Sequence, residues 1–200
     1  MLQALQQLDT QALIAIQSLT LPYPELAKWF IKIFADIEVL LAAIFIVALW
    51  LSGSFTKQNS LKENALRIFF VTGGAFVVYM ILNLGLPMRP RPETVSAIAP
   101  LINHLPDNSF PSGHAIFAAA SSGAMLVFLE KKWIGWSFAI LGLIMCIARV
   151  AAGVHYPGDI LAGAIVGGIF AWGFITLVKK IPKKSPLFTV PLKIAAWVKL

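Results

Sequence analysis

Charge is what this chain has least of. Of its 200 residues, 16 are Lys or Arg and 9 are Asp or Glu, so charged residues make up 12%. A water-soluble domain carries about 25%. So few charges cannot cover a soluble globule of this length, which excludes an ordinary cytosolic enzyme and a disordered chain. Cysteine is scarce as well. Cys146 stands alone in an apolar run, so no intrachain disulfide can form and the redox compartment cannot be read. A basic face is also missing. The net charge of +7 comes from cations scattered between apolar blocks, which excludes a nucleic-acid partner. The first residues lack the basic n-region and small-residue cleavage site of a signal peptide. No carboxylate cluster has the pattern of a Mg²⁺ site, so neither a metal nor another cofactor is expected.

What the chain has in quantity is apolar sequence, with 58% hydrophobic residues. Five stretches are long enough to cross a bilayer: about Phe34 to Leu51, Ala65 to Leu86, Ala115 to Leu129, Trp133 to Val154 and Ile160 to Val178. The third is short, so its helix is expected to start near Ser112. The expected fold is an all-α membrane protein, a bundle of about five transmembrane helices plus an N-terminal amphipathic interfacial helix. Residues 1–28 supply that helix, mixing Gln and Asp9 with Leu, Ile and Ala at helical spacing before the turn at Leu21-Pro22-Tyr23-Pro24. Residues 29–180 form the membrane-embedded domain, and 181–200 a basic cytoplasmic tail on anionic lipid. The spacing Gly163-x-x-x-Gly167 reads as close helix packing inside the bundle.

The cations orient the bundle. With the first span running inward, the cytoplasmic side holds Lys57, Lys62, Arg67, Lys131, Lys132 and, in the tail, Lys179, Lys180, Lys183, Lys184, Lys193 and Lys199. That is eleven of the sixteen, as the positive-inside rule requires. The opposite side then receives Arg89, Arg91, Arg149, Asp159 and all three histidines, His104, His114 and His155. Ionisable groups at the membrane edge are costly and are functional candidates by default. Several arginines beside helix N-termini make an oxyanion site, most naturally for phosphate.

Two strings sharpen this reading. Phe110-Pro111-Ser112-Gly113-His114 opens the third span and offers a hydroxyl, backbone N–H groups and a glycine that lets a ligand approach the main chain. Arg149-x5-His155-x3-Asp159 joins the fourth and fifth spans, with Pro157 suited to a helix's first turn and Asp159 near its positive end. Asp159 is expected to accept from one ring nitrogen of His155 and leave the other free as a nucleophile. His104 reads as a loop residue, and Asp107 and Asn108 as turn residues.

These strings resemble the phosphatidic acid phosphatase type 2 superfamily of membrane lipid phosphatases. Its central motif, Pro-Ser-Gly-His, is met by Pro111 to His114. Its last, Ser-Arg-x5-His-x3-Asp, is met by Arg149, His155 and Asp159, with Ala148 in place of the Ser. Its first, Lys-x6-Arg-Pro, is met at Arg91-Pro92, with Arg89-Pro90 a second copy; the Lys is replaced by Leu84. The resemblance implies that His155 attacks phosphorus to form a phosphohistidine, that Asp159 orients it, and that His114 protonates the leaving oxygen and then helps activate water. It also implies that Arg91, Arg149, Ser112 and Gly113 hold the phosphoryl oxygens, with Arg89 standing in for the missing Lys. The expected partners are a lipid phosphate substrate and membrane lipids, at an extracytoplasmic (periplasmic) site in a bacterial inner membrane. The oligomeric state cannot be read.

The 24-residue link from Pro87 to Phe110 and the run into the central motif look like bacitracin-resistance-type undecaprenyl diphosphate phosphatases. Phosphatidylglycerophosphate, phosphatidate and lipid A phosphate are the alternative substrates. A non-catalytic lipid-phosphate binder or transporter is the alternative from another class.

Overall fold

In the computed structural model, residues 2–19, 24–95, 101–102 and 108–197 are described. His104 and Asp107 lie outside them. The described residues form helices and turns, with no strand among them. In order these are α1 (Leu2–Ser18), α2 (Pro24–Phe34), α3 (Ile37–Phe55), α4 (Asn59–Gly85), α5 (Pro92–Val95), α6 (Gly113–Phe128), α7 (Lys132–Ala151), α8 (Pro157–Lys180) and α9 (Pro186–Trp197). The chain is an all-α, multi-pass membrane protein. Four segments are long and apolar enough to span: 24–55, α4, α7 and α8; α6 is apolar but shorter.

The first span differs from its expected limits. It begins at Pro24, inside the segment assigned to the N-terminal helix, and its helix is interrupted at Ala35 and Asp36. The cause is a side chain. The Arg149 guanidinium donates to the Ala35 carbonyl at 3.3 Å and to Asp36 Oδ1 at 2.8 Å, drawing that carbonyl and carboxylate out of the helical ladder.

Helix α6 is the axis of the bundle and packs against α4, α7 and α8. It is short and lined with small residues: Ala115, Ala120 and Ala124 are buried. Without a hydrophobic drive between helices in lipid, close backbone approach does the packing. Gly163 and Gly167 are essential to it. A Cβ at either would strike the α6 backbone, at Ser112 and Ile116 respectively. The Gly-x-x-x-Gly spacing is therefore internal, between α8 and α6. Polar ties add specificity: Ser121 Oγ on α6 donates to the buried Glu38 on α3 at 2.6 Å. The outer surface is apolar, with Leu84 80% and Trp172 77% exposed. That surface belongs in hydrocarbon, not in water.

The segment 181–200 does not hang free over its described part. It forms α9, whose Phe188 is fully buried against Phe70 and under the Arg67 guanidinium.

Candidate active site

The motifs meet where α4 ends and α6 and α8 begin. Helix α8 starts as the spacing predicts, with Pro157 at its first position and Asp159 in its first turn. Asp159 Oδ2 accepts the Tyr156 N–H at 2.9 Å, closing the turn that presents His155. Ser112 is the N-cap of α6, and its N–H donates to the Asp159 carbonyl at 3.1 Å, so the two helix starts are joined through the backbone.

His155 is buried, at 2% exposure. Its Nδ1 lies 3.0 Å from the Ser109 carbonyl oxygen, which can only accept. Nδ1 therefore carries the proton, and Nε2 presents its lone pair. Nε2 faces Arg91 Nη1 at 3.3 Å, and the same nitrogen donates to the Val154 carbonyl at 2.6 Å. Burial pushes the imidazole down to about 4, with Asp159 opposing and the charges of Arg91 and Arg149 adding to it. The ring is neutral at physiological pH.

Asp159 does not make the direct hydrogen bond expected of it. Its Oδ2 is 3.6 Å from His155 Nδ1, and that ring proton goes to the Ser109 carbonyl. Asp159 instead acts one residue away, accepting from the Ser109 hydroxyl at 2.5 Å. Its other oxygen accepts from Arg89 Nη1 at 2.6 Å.

The second histidine sits in a companion cluster. His114 Nε2 is 2.8 Å from Asp36 Oδ1 and 3.2 Å from Arg149 Nη1. Arg91 and Arg149 both lie near enough to act on both rings. Thus His114, His155, Arg91, Arg149 and Asp159 come together.

The remaining expected residues are placed as follows. The Ser112 hydroxyl is fully buried and has no protein partner among the described residues, while its N–H is taken by Asp159. The close approach that Gly113 permits is made by the Tyr79 ring, which a Cβ there would meet at 2.8 Å. Arg89 faces carboxylates: Nη1 on Asp159 and Nη2 on Asp9, with its guanidinium over the Tyr156 ring at 4.1 Å. Leu84, where the first motif has its Lys, faces away from the bundle. Asn108 is the turn residue expected, accepting from the Arg89 and Phe110 N–H groups at 2.9 and 3.2 Å.

Three contributors escaped sequence reasoning: Asp36, Ser109 and Asp9. A carboxylate just before an apolar span is a signal for Asp36, and the lone acid of a Gln-rich amphipathic helix for Asp9. Ser109 acts partly through its carbonyl, for which no residue type is a signal.

A helical membrane bundle with two histidines, three arginines and three carboxylates gathered at one end is built to receive an anion at the membrane edge. The chain belongs to the PAP2 superfamily, whose family model matches residues 64–183. It is similar to undecaprenyl-diphosphatase BcrC of Bacillus subtilis, 36% identical over 132 residues, covering 66% of this chain and 65% of that protein. It is also similar to the bacitracin transport permease protein BcrC of Bacillus licheniformis, 35% identical over 141 residues, covering 68% and 64%. The matches thus span just under two thirds of those relatives' length. A solved transmembrane PAP2-type phosphatidylglycerolphosphate phosphatase from Bacillus subtilis shares the fold, with a TM-score of 0.64 at 23% identity over 91% of this chain and 90% of that one.

Proposed function

We propose that the chain is a membrane lipid phosphatase that works through a phosphohistidine on His155, with undecaprenyl diphosphate as its favoured substrate. The observation that carries the reading is the fixed tautomer of His155. Its Nδ1 proton is held by the Ser109 carbonyl, and its Nε2 lone pair is turned toward Arg91. A buried, neutral imidazole with one free nitrogen beside a guanidinium is a nucleophile placed next to an anion's binding group.

The steps balance with the residues present. Nε2 of His155 bonds to phosphorus while the bond from phosphorus to the leaving oxygen breaks. His114 gives that oxygen a proton. Water then attacks phosphorus, His114 takes the water's proton, and the P–N bond breaks to release phosphate. Arg91, Arg149 and the Ser112 hydroxyl stabilise the equatorial oxygens, whose charge must be balanced in the transition state. These groups supply the positive field without a metal. Asp36 Oδ1, 2.8 Å from both Arg149 Nη1 and His114 Nε2, makes the contacts a phosphoryl oxygen would make. A bound phosphate therefore displaces that carboxylate.

The cation distribution supports an extracytoplasmic active site, and the apolar bundle surface suits a substrate whose tail stays in lipid. The relative named an undecaprenyl-diphosphatase favours the diphosphate. The shared fold with a phosphatidylglycerolphosphate phosphatase supports that lipid as the second reading, and the relative named a transport permease supports a non-hydrolytic one. A panel decides among them: phosphate release by purified protein from undecaprenyl diphosphate and from phosphatidylglycerophosphate, beside His155→Ala. The expected result is faster release from the diphosphate, abolished in the variant. Equal slow rates on both lipids would remove the preference, and no release from either would favour transport.

A further inference from the structure

Helix α1 takes no part in the steps above, yet it is fastened to the catalytic end at three successive turns. Asp9 Oδ1 accepts the Gly158 N–H at 2.7 Å, and Oδ2 accepts from Arg89 Nη2 at 2.6 Å. One turn on, the buried Leu13 packs with Val150 and Tyr156. A further turn on, Gln17 lies against Gly153, where a Cβ would come within 2.8 Å of Gln17 Nε2. Positions 9, 13 and 17 share one helix face. What that face holds is the stretch from 149 to 159, which carries Arg149, His155 and Asp159.

Asp9 is the polar end of this attachment, and its contacts are specific. The Gly158 N–H is one of the first four of α8, which have no partner within their own helix. A carboxylate from another helix thus caps α8, where the dipole favours negative charge. Gly158 admits it: a Cβ there would meet Asp9 Oδ2 at 2.7 Å. The Asp9 and Arg89 side chains are only 12% and 23% exposed, so solvent screens the pair little. Burial works against the charge on Arg89, but Asp9 and Asp159 outweigh it and hold the guanidinium above the ordinary arginine range.

From Asp9 the contacts run in one line to the nucleophile. Arg89 joins Asp9 to Asp159, Asp159 accepts the Ser109 hydroxyl, and the Ser109 carbonyl holds the His155 Nδ1 proton. We propose that Asp9 is a positioning residue of the phosphatase site: by bridging Arg89 and the Gly158 N–H, it fixes the start of α8 and, through Asp159 and Ser109, the ring of His155. Helix α1 is then a component of the site and not only a membrane anchor. Arg89 serves as the link between two carboxylates and not as a substitute phosphate ligand. The inference rests on the lipid phosphatase reading.

The test is phosphate release from undecaprenyl diphosphate by full-length protein in mixed micelles. Asp9→Asn keeps the shape and an oxygen for Gly158 but removes the charge facing Arg89. It should lower kcat at least tenfold with KM within twofold of wild type, because positioning acts on the reacting ring. Arg89→Gln should do the same, and the double variant should be no worse than either single, since both break one line of contacts. Asp9→Glu should restore part of kcat. Thr10→Ala, on the same helix with its hydroxyl bonded to its own turn, should match wild type. Wild-type kcat in Asp9→Asn, a loss confined to KM, or effects of Asp9→Asn and Arg89→Gln that multiply fully would each overturn the proposal. A wild type that releases no phosphate would instead sink the phosphatase reading, a result distinct from an active wild type matched by Asp9→Asn.

Discussion

Buried arginines stand at both ends of this bundle, and they are used differently. At one end, Arg67 is 9% exposed, donates to the Val178 carbonyl at 2.9 Å and lies between the rings of Phe128 and Phe188. The partners shown for it are a neutral carbonyl and aromatic faces, and what they accomplish is to hold α8 and α9 onto α4. At the other end, Arg91 and Arg149 are equally buried, but each also touches a histidine nitrogen. Arg149 adds a carboxylate that is 71% exposed, a contact a competing anion can reach. Burial alone therefore does not mark a functional cation. What separates the two ends is whether the partners titrate and can be exchanged.

That contrast can be broken by substitution. The largest effect is expected at Arg149. Arg149→Ala should lower kcat/KM about 10²- to 10³-fold, the usual loss when one donor to a developing oxyanion is removed. Steady-state phosphate release measures it, and a change below threefold would put Arg149 in the same structural class as Arg67.

The next is a pH effect. His155 must be neutral to attack, and its buried position lowers it to about 4 from the ordinary 6.5. Protonation removes the nucleophile as pH falls, so the acid limb of kcat/KM should lie near pH 4, because that ratio reports the free enzyme. A limb near 6.5 would mean that His155 is solvated and that its contacts with Ser109 and Arg91 are not kept.

The smallest catalytic effect is expected at Arg67. Arg67→Met retains the packing but leaves the buried Val178 carbonyl without its donor. It should lower the melting temperature by roughly 3–8 °C while kcat stays within twofold of wild type. A large loss of turnover at an unchanged melting temperature would erase the distinction between the two ends.

Much of this arrangement was legible in the chain. Apolar runs marked α4, α7 and α8 because a spanning helix in lipid must be apolar along its length. The Pro111-to-His114 string and the Arg149, His155, Asp159 spacing located the site because their residues serve helix starts, which are local features. Less legible was whatever depends on one helix meeting another. Nothing near Asp36 in sequence shows that Arg149 interrupts the first span there. Nothing near Asp9 shows that its face of α1 turns toward Gly158. Counting placed the missing Lys at Leu84, and the helix turns that position outward to lipid. The orienting acceptor of His155 is a backbone carbonyl, which any residue at 109 would carry.

The central claim is that His155 Nε2 becomes bonded to phosphorus. The direct measurement is rapid quenching of the enzyme during turnover of a lipid diphosphate labelled at its terminal phosphorus, followed by mapping of the label on the protein. Wild type should carry a label on His155 that is stable to alkali and lost in acid, and His155→Ala should carry none. Label retained in His155→Ala, or sustained phosphate release by that variant, would contradict the account.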